Sequence, residues 1–206
     1  MQQEENALRA DIYALLAALL RDAPSDELLE FLRELEIDPT QKNELQLGWK
    51  MLQMAAQKAN HASVAEEYLP LFIGIGQGEI TPFASWYLTG SIMEAPLIEL
   101  RNDLKLLGFA RSEEHKEPED HIAALCEIMS LLIQQGASDS RQATFFHRHL
   151  APWAENLCED IQQASSALFY QAVATLALAF FKRERLVLKQ EAEAAEAAVQ
   201  VFSPAH

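Results

Sequence analysis

Apolar side chains recur along most of the chain at intervals of three and four residues, which is the spacing of one face of an α-helix. The alternation that marks a half-buried strand is not sustained anywhere. The first such stripe consists of Leu8, Ile12, Leu15, Leu16, Leu19 and Leu20. The pattern predicts an all-α fold, a single-domain helical bundle of about nine or ten helices.

Polar residues before these stripes predict where helices begin. Ser25 is expected to cap the second helix, and Pro39 with Thr40 to open the third. The segments 63–66 and 91–94, each with serine at its first position and glutamate at its fourth, have the form of capping boxes. After a connector that is acidic from Glu113 onward, Pro118 suits a first helical position. The helix that follows is expected to bury Ile122, Leu125, Cys126, Met129, Leu132 and Ile133.

One segment differs from the rest in composition. Residues 74–90 hold four of the seven glycines, and residues 80–93 carry no charge. This pattern predicts one long loop, rich in glycine, proline and aromatic residues.

The C-terminal part contains the longest uncharged run, Ile161 to Phe181. Its glutamines, serines, threonine and tyrosine would be costly in hydrocarbon, so a buried core helix is favoured over a membrane span. Helices are expected at about 140–150, 152–163 and 165–188. We expect one domain over residues 1–206, with a core bundle at 1–189 and an acidic, alanine-rich tail at 190–206.

Charge narrows the classes of partner. The 206 residues include 31 acidic and 16 basic side chains, for a formal charge of −15. Nucleic acids and anionic membranes are disfavoured because both need clustered lysine and arginine, whereas a cationic partner is favoured. The acidic N-terminus has no export signal, so a cytoplasmic protein is expected, with Cys126 and Cys158 as reduced, buried thiols.

Catalytic motifs are weak. His147 and His149 are too close in sequence to share a helix face, and only His121, beside a carboxylate, has a spacing that suits an ion at a helix start. Gly74–Gly78 lacks the context of a phosphate loop. No metal and no cofactor are expected. A metal- or nucleotide-dependent hydrolase that uses Asp120 and His121 stays open as an alternative, as does a helical adaptor for some other amphipathic segment.

Two clusters remain as candidate sites. The first joins Leu71 and Phe72 to an aromatic group in the uncharged segment: Pro82, Phe83, Ser85, Trp86 and Tyr87. These side chains would close the end of a core in the simpler interpretation, but rings in such a loop often serve recognition. The second is Glu117, Pro118, Glu119, Asp120 and His121, which alone indicates a helix with an acidic first turn.

Taken together, these segments resemble one family. The order Glu67-Tyr68, Leu71-Phe72-x-Gly74, Pro82-Phe83-x-Ser85-x-Tyr87 and Glu117-Pro118-Glu119-Asp120-His121-Ile122 is similar to that of the TorD/DmsD-type redox-enzyme maturation chaperones. The resemblance extends over nearly the whole chain in helix order and length.

The resemblance implies an all-helical cytoplasmic chaperone rather than an enzyme. Such proteins bind the twin-arginine signal peptide and the apo form of a molybdopterin enzyme, and hold it back from export until its cofactor is inserted. Proteins that deliver the molybdopterin cofactor are further partners. The identity of the client stays open among a trimethylamine-oxide reductase, a dimethyl-sulfoxide reductase, an oxyanion reductase and a formate dehydrogenase. The oligomeric state also stays open between a monomer and a domain-swapped dimer.

The family's peptide site, carried over where the motifs match, has two parts. Leu71, Phe72, Pro82, Phe83, Ser85, Trp86 and Tyr87 would line an apolar groove, and Glu117, Pro118, Glu119, Asp120 and His121 its acidic rim. Phe83 stands where relatives often have tryptophan, which keeps the groove apolar but removes an indole donor. A cationic, then apolar, peptide suits this arrangement, with Asp120 and Glu119 accepting bonds from arginine and His121 titrating near neutrality.

Overall fold

The computed structural model describes residues 2–38, 40–74, 77–109 and 117–202, with the backbone alone at residues 2 and 190–202. These ranges form ten α-helices and one π-helical turn and no β-strand, so the all-α prediction is confirmed. The helices are α1 Gln2–Arg21, α2 Asp26–Arg33, α3 Glu44–Lys58, α4 His61–Tyr68, α5 Ala84–Thr89, α6 Ala95–Leu106, α7 Ile122–Gln134, α8 Asp139–His149, α9 Ala154–Gln163 and α10 Phe169–Phe202, and the π-helical turn is Leu69–Ile73.

The core forms around α7 and α10. Helix α1 packs along α7, and α10 packs against α3, α8 and α9. All six side chains predicted to be buried on α7 are buried, because this helix is apolar on more than one face. Cys126 and Cys158 are buried free thiols, as predicted, and burial raises the pKa of both.

A buried ion pair fastens the N-terminal helix to this core. The guanidinium of Arg9 donates to both carboxylate oxygens of Glu184, at 2.7 and 2.8 Å, and Tyr13 donates its hydroxyl to the same carboxylate. Gln142 accepts a further bond from Arg9, so α1, α8 and α10 meet at one polar point. Because every group has a partner, the network is compatible with an apolar core.

Several predicted helix starts are wrong. Helix α3 begins at Glu44 after Asn43, whose side chain accepts from the N–H of Gln46, rather than at Thr40; Pro39 lies outside the described residues. Ser63 is the third residue of α4 and not its cap, since the capping box joins it to Asn60. In both cases the N-cap is an asparagine three residues from the expected cap, Asn43 after Thr40 and Asn60 before Ser63.

The predicted box at 91–94 also fails. Helix α6 begins at Ala95 with Pro96 in its first turn, and Glu94 caps it without a side-chain bond. The backbone of Met93 has a φ of 63°, which lies in the left-handed region. This conformation interrupts any helical turn between Ser91 and Glu94. A helical turn that would close the box therefore cannot form there.

Two long segments are subdivided. The predicted loop at 74–90 contains α5, and the run from Ile161 to Phe181 is broken between the end of α9 at Gln163 and the start of α10 at Phe169. In the part of the chain that the structure describes, no helix combines the length and apolar character needed to span a bilayer. Helix α10 continues to Phe202, and the division into a core bundle and a tail near residue 189 stays a prediction.

Candidate functional site

The aromatic segment and the acidic turn lie side by side. Phe83 and His121 form an isolated antiparallel bridge, the N–H of Ile122 donates to the carbonyl of Pro82 at 2.9 Å, and that of Ala84 donates to the carbonyl of Asp120 at 2.9 Å. The rings of Phe83 and His121 pack edge to face with centroids 5.0 Å apart. The structure thus brings together the two segments that the sequence singled out, although residues 113–116 of the acidic connector lie outside the described residues.

Asp120 is a buried support of this junction. Its Oδ2 accepts the backbone N–H of Ser85 at 2.9 Å and also the hydroxyl of Ser85. Only 1% of Asp120 is exposed, and among the described residues its Oδ1 has no hydrogen-bond partner. The structure therefore places Asp120 beneath the surface and not on an exposed rim.

His121 is the N-cap of α7. Its Nδ1 accepts the N–H of Ala123 at 3.1 Å, so the proton of the neutral ring is on Nε2. Burial, helped by the positive charge of Arg21, lowers the pKa of His121 to about 4. The prediction that His121 titrates near neutrality is wrong, because the buried ring cannot keep a second proton at neutral pH.

Pro118 does not begin the helix, which starts at Ile122. The segment 117–120 is instead a turn that leads into the His121 cap, because the backbone of Ile122 and Asp120 bonds to the aromatic segment. Pro118 and Glu119 are half-buried and Glu117 is exposed. These three residues are the accessible part of the predicted rim.

The apolar residues of the predicted groove separate into two groups. Leu71, Phe72, Pro82 and Ser85 are buried, and the ring of Phe72 packs on Tyr68 and Tyr170 with centroids 4.9 and 5.1 Å away. Trp86 and Tyr87, with Glu79 and Asp160, line a separate cavity of about 270 Å³. The twelve predicted residues therefore do not line one common groove.

A larger groove of about 490 Å³ lies between α6, α7, the end of α1 and the turn at 117–121, and we call it the α6–α7 groove. Its apolar lining consists of Leu104, Phe109, Pro118, Ala124, Ile128 and Leu131. Its charged residues are Arg21, Arg101, Lys105, Glu117, Glu119 and Glu127. Apolar surface and paired charges are therefore both within reach of one ligand.

Two ion pairs lie in this groove. Arg101 of α6 donates through Nε and Nη2 to Oε2 of Glu119, at 3.0 and 2.8 Å, and this bond raises the pKa of Arg101. Arg21, the last residue of α1, donates through Nη2 to Oε2 of Glu127 at 2.6 Å. Both pairs are partly exposed.

Asp120 faces a different cavity. This second cavity, of about 300 Å³, lies between α5, α6, α7 and α8 and is also lined by Glu99, Arg148 and His149. His149 is held through Nε2 by Asp103 at 2.7 Å, and Arg148 pairs with the same carboxylate. The turn at 117–121 thus contributes to two cavities, with its neighbouring carboxylates on opposite sides.

Sequence reasoning missed most of the α6–α7 groove. Ala124, Ile128 and Leu131 follow one another at helical spacing on α7, outside the stripe that was predicted to be buried, so a second apolar face was readable. Arg21 and Arg101 had no such signal, because they lie 80 residues apart in sequence and only packing brings both to the groove.

Two carboxylates position the segment that carries Leu71 and Phe72. Glu67 of α4 accepts the backbone N–H groups of Leu168, Phe169 and Tyr170 at 2.8 to 2.9 Å. Glu79 accepts those of Ser165 and Ser166, and these bonds lower the pKa of Glu79. Both ends of the segment are thereby fixed to the start of α10.

Nothing in the described ranges groups three or more histidine, cysteine, aspartate or glutamate side chains in a way that could hold a metal ion. The accessible chemistry of the site is that of carboxylates, guanidinium groups and apolar side chains. Such a site is suited to binding a charged and apolar ligand.

A family model described as nitrate reductase delta subunit matches residues 38–159, which include the turn at 117–121 and every lining residue of the α6–α7 groove except Arg21. The chain belongs to this family. Among curated relatives, Chaperone protein TorD of Aliivibrio fischeri is 28% identical over 86% of this chain and 93% of its own length. A protein described as a Tat proofreading chaperone, DmsD of Haemophilus influenzae, is 26% identical over 80% and 83%.

A solved structure has the same fold. It is described as a redox enzyme maturation protein from Archaeoglobus fulgidus, covers 88% of this chain and 93% of its own, and superposes with a TM-score of 0.50 at 15% identity. The prediction of a family of redox-enzyme maturation chaperones is confirmed, since the curated relatives TorD and DmsD are named as chaperones and not as enzymes.

Proposed function

We propose that this chain binds the twin-arginine signal peptide of a molybdopterin-containing redox enzyme in the cytoplasm. In this proposal it holds the apo enzyme back from export until the cofactor is inserted. The observation that carries the proposal is the α6–α7 groove, in which two carboxylates each bind a guanidinium group beside an apolar surface.

The charges of the groove suit the first part of such a peptide. Glu119 receives two N–H groups of one guanidinium on a single carboxylate oxygen, so a charge-assisted bond from arginine can form at this position. Glu127 receives a second guanidinium on the neighbouring helix. The groove therefore contains two carboxylates that guanidinium groups can reach, one for each of two adjacent arginines, and lysine would bond to them less well.

The apolar lining suits the second part. Leu104 and Ile128 are largely buried, Leu131 is 36% exposed, and all three belong to the lining of the groove. An apolar segment after the arginines would cover these side chains, as in other cases of helix-in-groove recognition. The family's TorD and DmsD members support a redox-enzyme precursor as the source of that segment.

Calorimetric titration with a synthetic twin-arginine signal peptide tests the proposal. We expect binding that weakens at least about ten-fold when both arginines are replaced by glutamine, because two charge-assisted bonds are lost. The absence of binding, or equal binding of both peptides, would contradict the proposal.

A pair of variants locates the site. Leu131→Gln removes apolar surface from the groove, and Leu186→Gln makes the same change at a side chain of α10 that is 64% exposed. We expect weaker binding for Leu131→Gln alone, with the melting temperature of both variants close to that of the wild type. Equal affinities of the two variants would show that the peptide binds at another surface.

A further inference from the structure

Glu119 and Glu127, which face the α6–α7 groove, are both engaged by arginines of the chain itself. We propose that Arg101 and Arg21 are placeholders, which are displaced from these carboxylates by the two arginines of the incoming peptide. This inference rests on the proposed function and adds the residues that set its specificity. It makes binding an exchange of guanidinium groups.

The geometry allows the exchange. In both pairs the donors are guanidinium N–H groups, so a peptide arginine replaces each bond by one of the same kind. A lysine ammonium cannot reproduce the planar two-donor bond that Glu119 now receives from Nε and Nη2 of Arg101. The exchange therefore favours an arginine pair over a lysine pair.

Only side chains need to move. Arg101 lies within α6, and the carbonyl of Arg21 accepts the hydroxyl of Tyr68 at 2.7 Å, which holds the backbone at the end of α1. The Arg101 and Arg21 side chains are 42% and 31% exposed, so a displaced guanidinium has water beside it. Pairs exposed to this degree are weak, and breaking them is a small cost.

The placeholders also explain how the groove can exist without its ligand. The carboxylate of Glu119 is only 15% exposed and lies in a groove with an apolar lining, where a charge without a partner is unfavourable. Arg101 contributes a compensating charge in the free protein, whereas Glu127 is half exposed to solvent and needs Arg21 less. Because both pairs are weak, they raise the threshold for binding only slightly, and a ligand with fewer or poorer donors recovers less of that cost.

A different role for the same arginines would be simple repulsion of cations. Lys105 distinguishes repulsion from displacement. It is an exposed cation of the same groove, and the described part of the chain shows no ion pair for it. Removing a repelling charge would help arginine and lysine peptides alike, and Lys105→Gln would act as strongly as Arg101→Gln. Removing a placeholder vacates the position of one guanidinium at a carboxylate, and arginine fills that position best.

The experiment measures the dissociation constants of peptides with Arg-Arg, Lys-Lys and Gln-Gln at the motif. We expect Arg101→Gln and Arg21→Gln each to bind the Arg-Arg peptide about two- to five-fold more tightly, with a smaller gain for Lys-Lys. Lys105→Gln is expected to change the two cationic peptides alike and by less. The gain of Arg101→Gln is expected to disappear in Arg101→Gln/Glu119→Gln.

Weaker or unchanged binding of the Arg-Arg peptide by Arg101→Gln and Arg21→Gln would overturn the inference, as would an equal gain in Lys105→Gln. These outcomes leave the proposed function intact if the wild type still prefers Arg-Arg over Gln-Gln. The absence of any binding by the wild type would instead overturn the proposed function. Circular dichroism melting curves check that each variant is folded.

Discussion

The carboxylate of Asp120 holds two segments of the chain together. This carboxylate accepts the N–H and the hydroxyl of Ser85, while the backbone carbonyl of Asp120 accepts the N–H of Ala84. A buried carboxylate needs such donors, since leaving either partner unbonded inside the protein costs free energy. Asp120 therefore has a structural role, whether or not it also contacts a ligand in the second cavity.

Asp120→Ala is expected to lower the free energy of unfolding by about 1–3 kcal/mol, because the N–H and hydroxyl of Ser85 lose their acceptor. Glu117→Ala, on the exposed part of the same turn, is the control and should change it by less than about 0.5 kcal/mol. Urea denaturation measures both. Equal stabilities of the two variants would show that the bonds to Ser85 carry no net free energy.

His121 gives a prediction about pH. Its pKa is about 4 when folded and near the ordinary value of 6.5 when unfolded. Because the folded value is the lower one, the stabilisation is complete above about pH 6.5 and is lost as the pH falls toward 4. The loss from this one group amounts to about 2–4 kcal/mol.

His121→Asn isolates this contribution. Asparagine still offers an acceptor to the N–H of Ala123 and is a good N-cap, but it does not titrate. The difference in unfolding free energy between wild type and variant, measured at several pH values, should decline from pH 7 to pH 4. A constant difference would contradict the assignment.

Among the elements, the start of α10 shows best how distant residues decide where a helix begins. The N–H groups at a helix start need acceptors, and Glu67 of α4 supplies them for Leu168, Phe169 and Tyr170. The negative charge also suits the positive end of the helix dipole. This contact joins the segment before the π-helical turn to the longest helix of the molecule.

Glu67→Ala is expected to lower the free energy of unfolding by about 1–3 kcal/mol, because three backbone donors lose a charged acceptor. Glu66→Ala removes the same side chain from the neighbouring, exposed position and is the matched control. Thermal or urea denaturation distinguishes them. A loss of the same size in both would mean that helix propensity or net charge, and not capping, is responsible.

Periodicity predicted the helices well because burial of an apolar face determines where they form, as the six buried residues of α7 illustrate. Helix starts were predicted less well. The left-handed backbone of Met93 and the capping of α10 by Glu67 depend on conformation and on long-range contacts, which spacing in the sequence does not encode. The break between α9 and α10 was predicted after residue 163, but the start of α10 was placed about four residues too early.

The candidate site was also predicted only in part. The aromatic segment and the acidic turn could be singled out because their composition is unusual, and they do meet at the bridge between Phe83 and His121. Which of their side chains are accessible could not be predicted. Glu117, Pro118, Glu119 and His121 line the α6–α7 groove, whereas Asp120 between them faces the second cavity. Arg21 and Arg101 reach the groove only because the fold brings the end of α1 and one face of α6 to the same groove beside α7.

The net charge of −15 produces an electrostatic field that extends further from the protein than the contacts in the groove. Such a field accelerates the approach of a cationic peptide and is screened by salt. The ion pairs within the groove, by contrast, act at contact distance and determine which cation stays bound. Charge therefore contributes to rate at one scale and to selectivity at another.

Raising the salt concentration from about 50 to about 500 mM should slow association of a twin-arginine peptide by roughly ten-fold and change its dissociation much less. Stopped-flow fluorescence with a labelled peptide measures both rate constants. A rate of association that does not depend on salt would show that the acidic surface plays no part in the encounter.

Photo-crosslinking locates the signal peptide, which we propose lies in the α6–α7 groove. The probe is a twin-arginine peptide that carries a photoreactive residue directly after its second arginine, and mass spectrometry identifies the adduct. We expect adducts at Leu104, Ile128 or Leu131, and their loss when unlabelled peptide competes. Adducts confined to other surfaces, such as the outer face of α3, would contradict it.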